Sequence, residues 1–564
     1  MLHNKSIPSV GIIGEGSAKI AHYLLAKKKG EFSIIGFDSL DRTGGHIHSI
    51  AIPVPSEENE TAENCEQGEQ GEAITIEKIS NDEFISAQAA SAQAVFEKRT
   101  SVKRIVPEGK LTPVEGTTKF KDEKNREFYI VEGGAEFINP SYIELLTLFK
   151  DIGVTTQTFS MTMAIHELAE NKKLNDAFVV SQKFLDILKN FQAEEGETGL
   201  VNLIKEFFKG FDYLFKYIAL AIVINKAHTL TPSTKTVKEF IKEVRENWFY
   251  RLFITDDFIN NYLYPLLASA WGVKVKEKEK FLAHYSMNYL TKGSEFIEVK
   301  GGLSQYIEKL DSNIQKDEIK LNTKISKVEM KELDGKNFYH LYEKTENDGE
   351  KLITDEDGSP RYFSDLIVST PAEVSKLILA GINDPDLKAL VEKLGKVRYF
   401  DTTICFCKPP KDIDLGNSEV VNISTQNNEQ PYTVVIKDHL YPGIAKMWVH
   451  DEKHMPKPED IYAKFHYRHP HMDIYYKNAQ DAIVAYNAKN TGIQFAGILA
   501  GFDDSHTSAA YAAGRAVVNI HNRHQKNESL DYLMTNTTFV PVVVSRMELE
   551  KNPPAPKERA SCCC

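Results

Sequence analysis

The sequence predicts an α/β fold that begins with a β-α-β unit. Residues 9–16, SVGIIGEG, are a short apolar run that ends in Gly14-x-Gly16. Residues 17–30 have apolar side chains at helical spacing and close with basic residues and a glycine, which together form a helix stop signal. Residues 32–38, FSIIGFD, are a second apolar strand that ends at Asp38. These three patterns place a strand, a helix and a strand at the N-terminus.

The glycines and the acidic residue of this unit have the spacing of a dinucleotide site. Gly14 and Gly16 let the backbone approach a pyrophosphate at the positive end of the helix. Asp38 follows Gly14 by 24 residues (38 − 14), which places a carboxylate where it accepts hydrogen bonds from a ribose. Lys19 occupies the position of the third glycine, so either the helix lies farther out or the loop is remodelled. Taken alone, the half-motif fits a strand–helix turn without a ligand equally well.

The size and charge of the chain restrict its function. Its 564 residues suffice for two or three domains with a large core. The net charge of −12 argues against a nucleic-acid partner, because phosphate binding needs a basic surface. The chain has no run of about 18 apolar residues and no secretory signal, so we expect a cytoplasmic protein without a membrane-spanning helix. Its six cysteines form neither a disulfide framework nor a zinc pattern.

A second element follows directly after the β-α-β unit. The segment Asp38-x-x-Asp41-Arg42-x-Gly44-Gly45-His46 resembles the Arg-x-Gly-Gly element of amine-oxidase-type flavoproteins. In that family the element lies along the diphosphate of FAD, and nicotinamide-only dehydrogenases lack it. The resemblance therefore implies FAD as the cofactor. It implies cofactor contacts at Gly14, Gly16, Ser17, Asp38, Ser39, Arg42, Gly44, Gly45, His46, Gly134, Ala135, Glu136, Phe137, Ile325, Thr370, Pro371 and Gly497.

Further segments resemble the same family in the same order along the chain. They are residues 131–154, 299–310, 319–330, 363–373 and 493–520. The sequence is most similar to a subgroup of predicted NAD/FAD-binding proteins that write Gly-Gly-His-x-His, here Gly44 to His48, and that carry Tyr467-Arg468-His469-Pro470 and Ala479-Gln480. The last helix departs from that subgroup, because Asp503-Asp504-Ser505 separates Phe502 from His506.

The resemblance implies that a Rossmann-like FAD-binding domain of the GR2 type is interleaved with a mixed helical and β-sheet substrate domain. We expect a discontinuous FAD-binding domain at residues 1–55, 120–150, 296–378 and 490–525. We expect an acidic and helical insertion at 56–119. The substrate domain is expected at 151–295 and 379–489, and a flexible tail at 550–564. We expect residues 155–295 to be largely helical. We expect the aromatic-rich run 200–224 to be a core helix. The alternatives are that it forms part of the wall of an apolar substrate site or a patch that faces a membrane.

Few residues are candidates for catalysis, because in flavin enzymes the cofactor carries the redox chemistry. His46 and His48 follow the glycine pair, and His506 precedes the last helix of the nucleotide domain. The alternative for each is a structural histidine that bonds backbone or phosphate. The run HYRHPH at 466–471 has poor spacing for tetrahedral metal ligation, so we expect no metal site.

The substrate is inferred from relatives of the subgroup, which resemble enzymes that act on unsaturated fatty acyl chains. We therefore expect an FAD-dependent oxidoreductase or isomerase with a small apolar or lipid-like substrate. One alternative is a non-catalytic binding protein of this fold, as in guanine-nucleotide dissociation inhibitors, and another is an amine oxidase. The tail ends in Cys562, Cys563 and Cys564, which resembles the double-cysteine endings that receive lipid chains. Lipidation would place the protein at a membrane surface, and the alternative is a free end with oxidisable thiols.

Overall fold

The structure is a computed structural model in which part of the chain is described. The described residues are 7–55, 111–180, 214–410, 420–437, 439–524 and 534–551, apart from short gaps at 28–29, 46, 116, 135–137, 161–162, 169–177, 232, 270, 292–294, 334, 346–348, 426–431, 450–451, 504 and 536. Residues 56–110 of the expected acidic insertion and residues 552–564 of the expected tail lie outside these residues. So do His46, Ala135, Glu136, Phe137, Cys562, Cys563 and Cys564.

The described residues contain strands of very different length. In chain order they are β1 Ser9–Ile13, β2 Ser33–Phe37, β3 Ser49–Pro53, β4 Thr112–Pro113, β5 Lys119–Lys121, β6 Glu127–Glu132, β7 Thr156–Ser160, β8 Met163–Leu168, β9 Phe178–Val180, β10 Glu295–Val299, β11 Ile319–Lys320, β12 Ile325–Leu333, β13 Lys336–Lys344, β14 Glu350–Leu352, β15 Asp365–Val368, β16 Tyr399–Cys407, β17 Val420–Thr425, β18 Tyr432–Ile436, β19 Ala445–Val449, β20 Ile461–Pro470 and β21 Ile493–Phe495.

The α-helices with defined ends are α1 Lys19–Ala26, α2 Ile143–Ile152, α3 Val237–Val244, α4 Trp248–Phe253, α5 Asp256–Phe258, α6 Tyr264–Ser269, α7 Val275–Lys278, α8 Ala283–Thr291, α9 Ser304–Asp311, α10 Ala372–Leu379, α11 Pro385–Leu394, α12 Ile474–Ala488, α13 His506–His524 and α14 Phe539–Lys551. Residues 214–227 are also helical. A π-helical turn, Ile259–Leu263, joins α5 to α6. Within the described part, no helix is both long enough and apolar enough to span a bilayer.

Five parallel strands form the sheet that contains the N-terminal β-α-β unit. The strand order is β11-β2-β1-β15-β21, and each neighbouring pair is parallel. Ranked along the chain this order is 3-2-1-4-5, the order of a doubly wound nucleotide-binding sheet. The predicted α/β class and its N-terminal β-α-β unit are confirmed. Strand order reverses between β1 and β15, so the ligand crevice of such a sheet lies beyond their carboxyl ends.

Both faces of the parallel sheet are covered, which explains why its strands are apolar throughout. Val10 and Ile12 of β1 pack in a cluster with Leu24 of α1 and Val517 of α13. Ile13, at the end of the same strand, belongs to a second cluster on the other face, which includes Val328 of β12. The sheet is therefore a rigid base for the loops at its carboxyl edge.

A seven-stranded sheet carries the second half of the fold. Its order is β20-β16-β19-β18-β17-β8-β9, with β17 and β8 parallel and the other neighbours antiparallel. The expectation that residues 155–295 are largely helical is wrong at its start, because β7, β8 and β9 occupy parts of 156–180. The β-branched and alternating residues of TTQTF and MAIHEL favour strands there. Helices follow from residue 214 onward.

Candidate functional site

Glycines from three loops meet at the carboxyl edge of the parallel sheet. Gly14 follows β1 with φ +90°, Gly44 follows β2 with φ +95°, and Gly497 follows β21 with φ +89°. A Cβ atom on Gly14 would lie 2.7 Å from the backbone oxygen of Ser369, and one on Gly497 would lie 3.1 Å from the Ser369 hydroxyl oxygen. Only glycine combines this backbone conformation with this close approach. The contact between Gly14 and Ser369 lies between β1 and β15, where strand order reverses.

The loop after β2 rests directly on the loop after β1. Gly44 donates its N–H to the carbonyl of Glu15 at 2.8 Å. A Cβ atom on Gly45 would lie 3.2 Å from the Cα atom of Gly16, so the two backbones are in contact. Arg42 donates to the carbonyl of Gly45 at 2.9 Å and thereby holds the second loop in shape. The predicted Arg-x-Gly-Gly element and the Gly-x-Gly turn therefore form one backbone surface.

Two helices point their N-termini at this surface. Ser17, just ahead of α1, and His506, the first residue of α13, line the same cavity together with Tyr306 of α9. Helix N-termini present free N–H groups and a positive dipole end, which suits an anion such as a diphosphate. The cavity has a volume of about 20 Å³, enough for about one water molecule.

Asp38 stands at the tip of β2, as the ribose assignment requires. Its Oδ2 accepts the N–H of Glu15 at 2.9 Å, and its Oδ1 accepts the N–H of Leu40 at 2.9 Å. Burial raises the pKa of Asp38, and the two backbone hydrogen bonds oppose that effect. These bonds fix the carboxylate orientation and leave each oxygen with one lone pair for a sugar hydroxyl. The start of β12 lies alongside, because Thr323 donates its N–H to the Asp38 carbonyl at 2.8 Å.

Lys19, the residue in place of the third glycine, does not line this cavity. Its fully buried ammonium contacts Asp311 of α9 and lies 3.6 Å from Glu15 Oε2. Glu15 Oε1 is 2.7 Å from His22 Nδ1. Gly36 makes room for this carboxylate, since a Cβ atom there would lie 1.6 Å from Glu15 Oε1. Lys19 is therefore held in a buried ionic network beneath α1.

The donor set of the sheet edge fits a dinucleotide. Backbone N–H groups, two helix N-termini and a preoriented carboxylate match the phosphates and a ribose. The other predicted contact residues are distributed around the same edge. Ser39 follows Asp38 and is half-buried, Ile325 opens β12, Thr370 Oγ1 bonds the Ser375 hydroxyl at 2.8 Å, and Pro371 precedes α10.

A second cluster surrounds the turn after β6, formed by Gly133 and Gly134 and called here the β6 turn. Gly133 donates its N–H to the carbonyl of His48 at 2.7 Å. Lys446 of β19 is fully buried, and its Nζ donates to the carbonyl of Gly134 at 3.0 Å. The Lys446 ammonium also lies 4.6 Å from the ring centre of Trp448. Here the seven-stranded sheet meets the segments that the sequence assigned to the cofactor.

Sequence reasoning named His48 and Gly134 in this cluster but missed Lys446. The signal was a lysine inside the apolar strand AKMWV, where a charge is rare unless it is paired. His48 is itself buried and packs edge-on against Phe465. His506 lies at the other site, and burial lowers its pKa, so it is neutral at pH 7.

Other reactive groups are held in unreactive surroundings. Burial raises the pKa of the Cys405 thiol to about 11 and that of the Cys407 thiol to about 12, so neither is a thiolate at neutral pH. Burial also lowers the pKa of His469 to about 4. Across the described ranges, no group of three or more His, Cys, Asp or Glu side chains is arranged to hold a metal ion.

Comparison with solved structures identifies the fold. A mutant of putrescine oxidase is 11% identical and matches over 92% of this chain and 99% of its own, with a TM-score of 0.51. A CLA-producing fatty acid isomerase from P. acnes is 11% identical and matches over 92% of this chain and 98% of its own, with a TM-score of 0.50. At these identities the match establishes a common fold. A search of curated proteins found no match.

The family is established by sequence. Residues 116–409, which are 294 residues (409 − 116 + 1) and more than half of the chain, match the family described as flavin containing amine oxidoreductase. This region includes the β6 turn, α9 and strands of both large sheets. The predicted superfamily and the predicted cofactor, FAD, are confirmed. The chain belongs to the flavin containing amine oxidoreductase family and is an FAD-dependent oxidoreductase.

Proposed function

We propose that the protein catalyses an FAD-dependent oxidation or isomerisation of an apolar, lipid-like substrate. The observation on which the proposal rests is the buried cluster of aromatic side chains of the seven-stranded sheet near the β6 turn. Phe406, Phe465 and Tyr467 belong to one buried cluster there, and Trp448 packs against it. Apolar surroundings of this kind favour an apolar substrate, because burying an alkyl chain is favourable by about 0.8 kcal/mol for each CH₂ group.

The residues of the sheet edge would hold the cofactor. We assign the diphosphate to the backbone of Gly14, Gly16 and Ser17 and to the N-termini of α1 and α13. We assign the ribose to Asp38 and the adenine side to Ser39 and Ile325, because the start of β12 lies against Asp38. When bound, FAD supplies the acceptor for a hydride or an electron pair.

The residues around the β6 turn would orient the reacting part of the substrate. We assign Lys446 a positioning role, because its buried ammonium fixes the Gly134 carbonyl. His48 is the stronger candidate for a proton acceptor, since it is buried beside the same turn. His506 faces the cavity at the sheet edge and is assigned to the cofactor side.

The fold alone does not choose the substrate, because one fold hosts many activities. The solved structures that share it include a fatty acid isomerase and a putrescine oxidase. The experiment therefore compares an unsaturated fatty acid with putrescine. The purified full chain is loaded with FAD and mixed with each compound without oxygen, and the visible flavin absorbance and the organic products are followed.

We expect the fatty acid to be isomerised or oxidised, with putrescine unchanged. Flavin reduction by putrescine alone would instead establish the amine-oxidase alternative. A colourless protein that takes up no added FAD would support the non-catalytic binding protein. The flavin absorbance of the two samples and the analysis of their organic products together distinguish these outcomes.

A further inference from the structure

Helix α4 is apolar but buries none of its residues. Its sequence is WFYRLF, in which five of the six side chains are apolar or aromatic. The exposed fraction is 73% for Trp248, 59% for Leu252 and 48% for Phe249. Large side chains exposed together on one short helix indicate a surface that another molecule covers.

The exposed surface extends onto the neighbouring helical residues 214–227. Phe215 stacks on Phe253 at a ring-centre distance of 5.4 Å, and Phe249 packs on the same Phe253 ring at 5.3 Å. Leu214, next to Phe215, is exposed as well. We call the exposed set Leu214, Phe215, Trp248, Phe249 and Leu252 the α4 patch. It holds five of the thirteen large apolar side chains that are exposed in the described part of the chain, so the exposure is concentrated.

The segment of chain that carries the α4 patch has a net charge opposite in sign to that of the whole chain. Residues 214–258 contain seven Lys and Arg and five Asp and Glu, a net charge of +2 (7 − 5), whereas the chain carries −12. Lys226 and Arg251 lie in this region, and neither pairs with a carboxylate among the described residues. The Lys226 ammonium lies 5.1 Å from the ring centre of Tyr250 in α4. A face-to-face dimer through the patch would bring two positive rims together, whereas an anionic surface would neutralise them.

A polar cavity lies beside the α4 patch. Its volume is about 300 Å³, and its lining includes Lys226, Thr229, Ser233 and Asn247. Lys235 and Glu243 also line it and pair with each other, which leaves Lys226 as its uncompensated cation among the described residues. An ammonium group with neighbouring hydroxyl and amide groups is the donor set that recognises phosphate oxygens.

We propose that the α4 patch docks the protein on a bilayer that contains anionic phospholipids. Trp248, Phe249 and Leu252 enter the interfacial region, where Trp is favoured because its ring is amphipathic. Lys226 and Arg251 contact lipid phosphates, and the polar cavity receives one headgroup. The proposal is independent of the substrate and of FAD, because it rests on the surface of α4 alone.

The test is cosedimentation of the purified full chain, produced in bacteria, with vesicles of phosphatidylcholine alone or with added phosphatidylglycerol. We expect binding to the mixed vesicles. We expect a loss of about tenfold or more in the triple variant Trp248→Ser, Phe249→Ser, Leu252→Ser. The matched control replaces two exposed leucines outside the patch, Leu333→Ser and Leu377→Ser, and should bind as the unchanged chain does.

Two further measurements separate a lipid surface from other partners. Lys226→Glu with Arg251→Glu should weaken binding to the mixed vesicles, and raised salt should do the same. Tryptophan emission should shift to the blue on binding, and Trp248→Phe should remove the shift while keeping most of the binding. Equal binding by the triple variant, or no binding by the unchanged chain, would overturn the proposal. So would a dimer in solution that the triple variant converts to a monomer, without vesicle binding by either.

Discussion

The sheet edge and the β6 turn are built in opposite ways. At the sheet edge, the groups that we assign to the cofactor are mostly glycine backbones and helix N-termini. The one carboxylate among them, Asp38, is held by backbone N–H groups. At the β6 turn, the polar contact is made by a side chain, Lys446, which lies 312 residues from Gly134. A site made of backbone is encoded in local residue spacing. A site made of side chains depends on which distant strands the fold brings together.

The largest expected effect is on FAD binding, and it distinguishes a glycine of the sheet edge from a glycine in an ordinary turn. Gly14→Val should abolish FAD binding, because its side chain would collide with the Ser369 carbonyl at the strand end. Gly358→Val is the matched control, since Gly358 also has a positive φ of +81° but no atom lies near its Cβ position. FAD binding by each variant is measured by equilibrium titration. If Gly14→Val retained FAD, the sheet edge would not be the phosphate site.

A second prediction concerns the ionic network beneath α1. Lys19→Met should lower the free energy of unfolding by about 3 kcal/mol, because removing one partner of a buried ion pair leaves its carboxylate partners unpaired. Urea unfolding measures the change. Lys27→Met removes a lysine at the end of α1 that is not fully buried and should change the stability by less than about 0.5 kcal/mol. Equal effects of the two substitutions would contradict the buried network.

A third prediction addresses the side-chain site. Lys446→Met should reduce turnover about 10- to 100-fold, because the Gly134 carbonyl loses its donor. Retained FAD with a changed visible spectrum would distinguish positioning from loss of the cofactor. Lys446→Arg keeps the charge and the donor and should recover part of the activity. A variant with unchanged turnover and an unchanged spectrum would remove Lys446 from the site.

The smallest expected effect is a change of stability with pH that arises from His469 in β20 of the seven-stranded sheet. His469 has a pKa of about 4 in the folded chain, below its ordinary value of about 6.5. Between these values the unfolded chain takes up a proton that the folded chain does not, so stability falls as the pH decreases through this window. His469→Phe keeps an aromatic ring beside Phe400 and should reduce the loss of stability between pH 7 and pH 5. Thermal unfolding at both pH values tests this.

Local patterns allowed the β-α-β unit and the Arg-x-Gly-Gly loop to be predicted from the sequence. The spacing of Gly14, Gly44 and Asp38 reflects contacts within one short stretch of chain. The role of Lys19 was not predictable from the glycine fingerprint, because its partner Asp311 comes from a helix almost 300 residues later. The strands between 156 and 180 were missed because the expectation of a helical region over 155–295 was given more weight than their alternating pattern. Lys446 was missed because only strand pairing places β19 beside the β6 turn.

The most direct test of the central claim is a titration of the purified full chain with FAD, followed by the flavin absorbance spectrum. We expect the chain to bind FAD in a reducible form, and we expect Asp38→Ala to weaken binding about tenfold, because the ribose loses its acceptor. A chain that binds no FAD would show that the sheet edge is not a cofactor site. So would an Asp38→Ala variant that binds FAD as tightly as the unchanged chain.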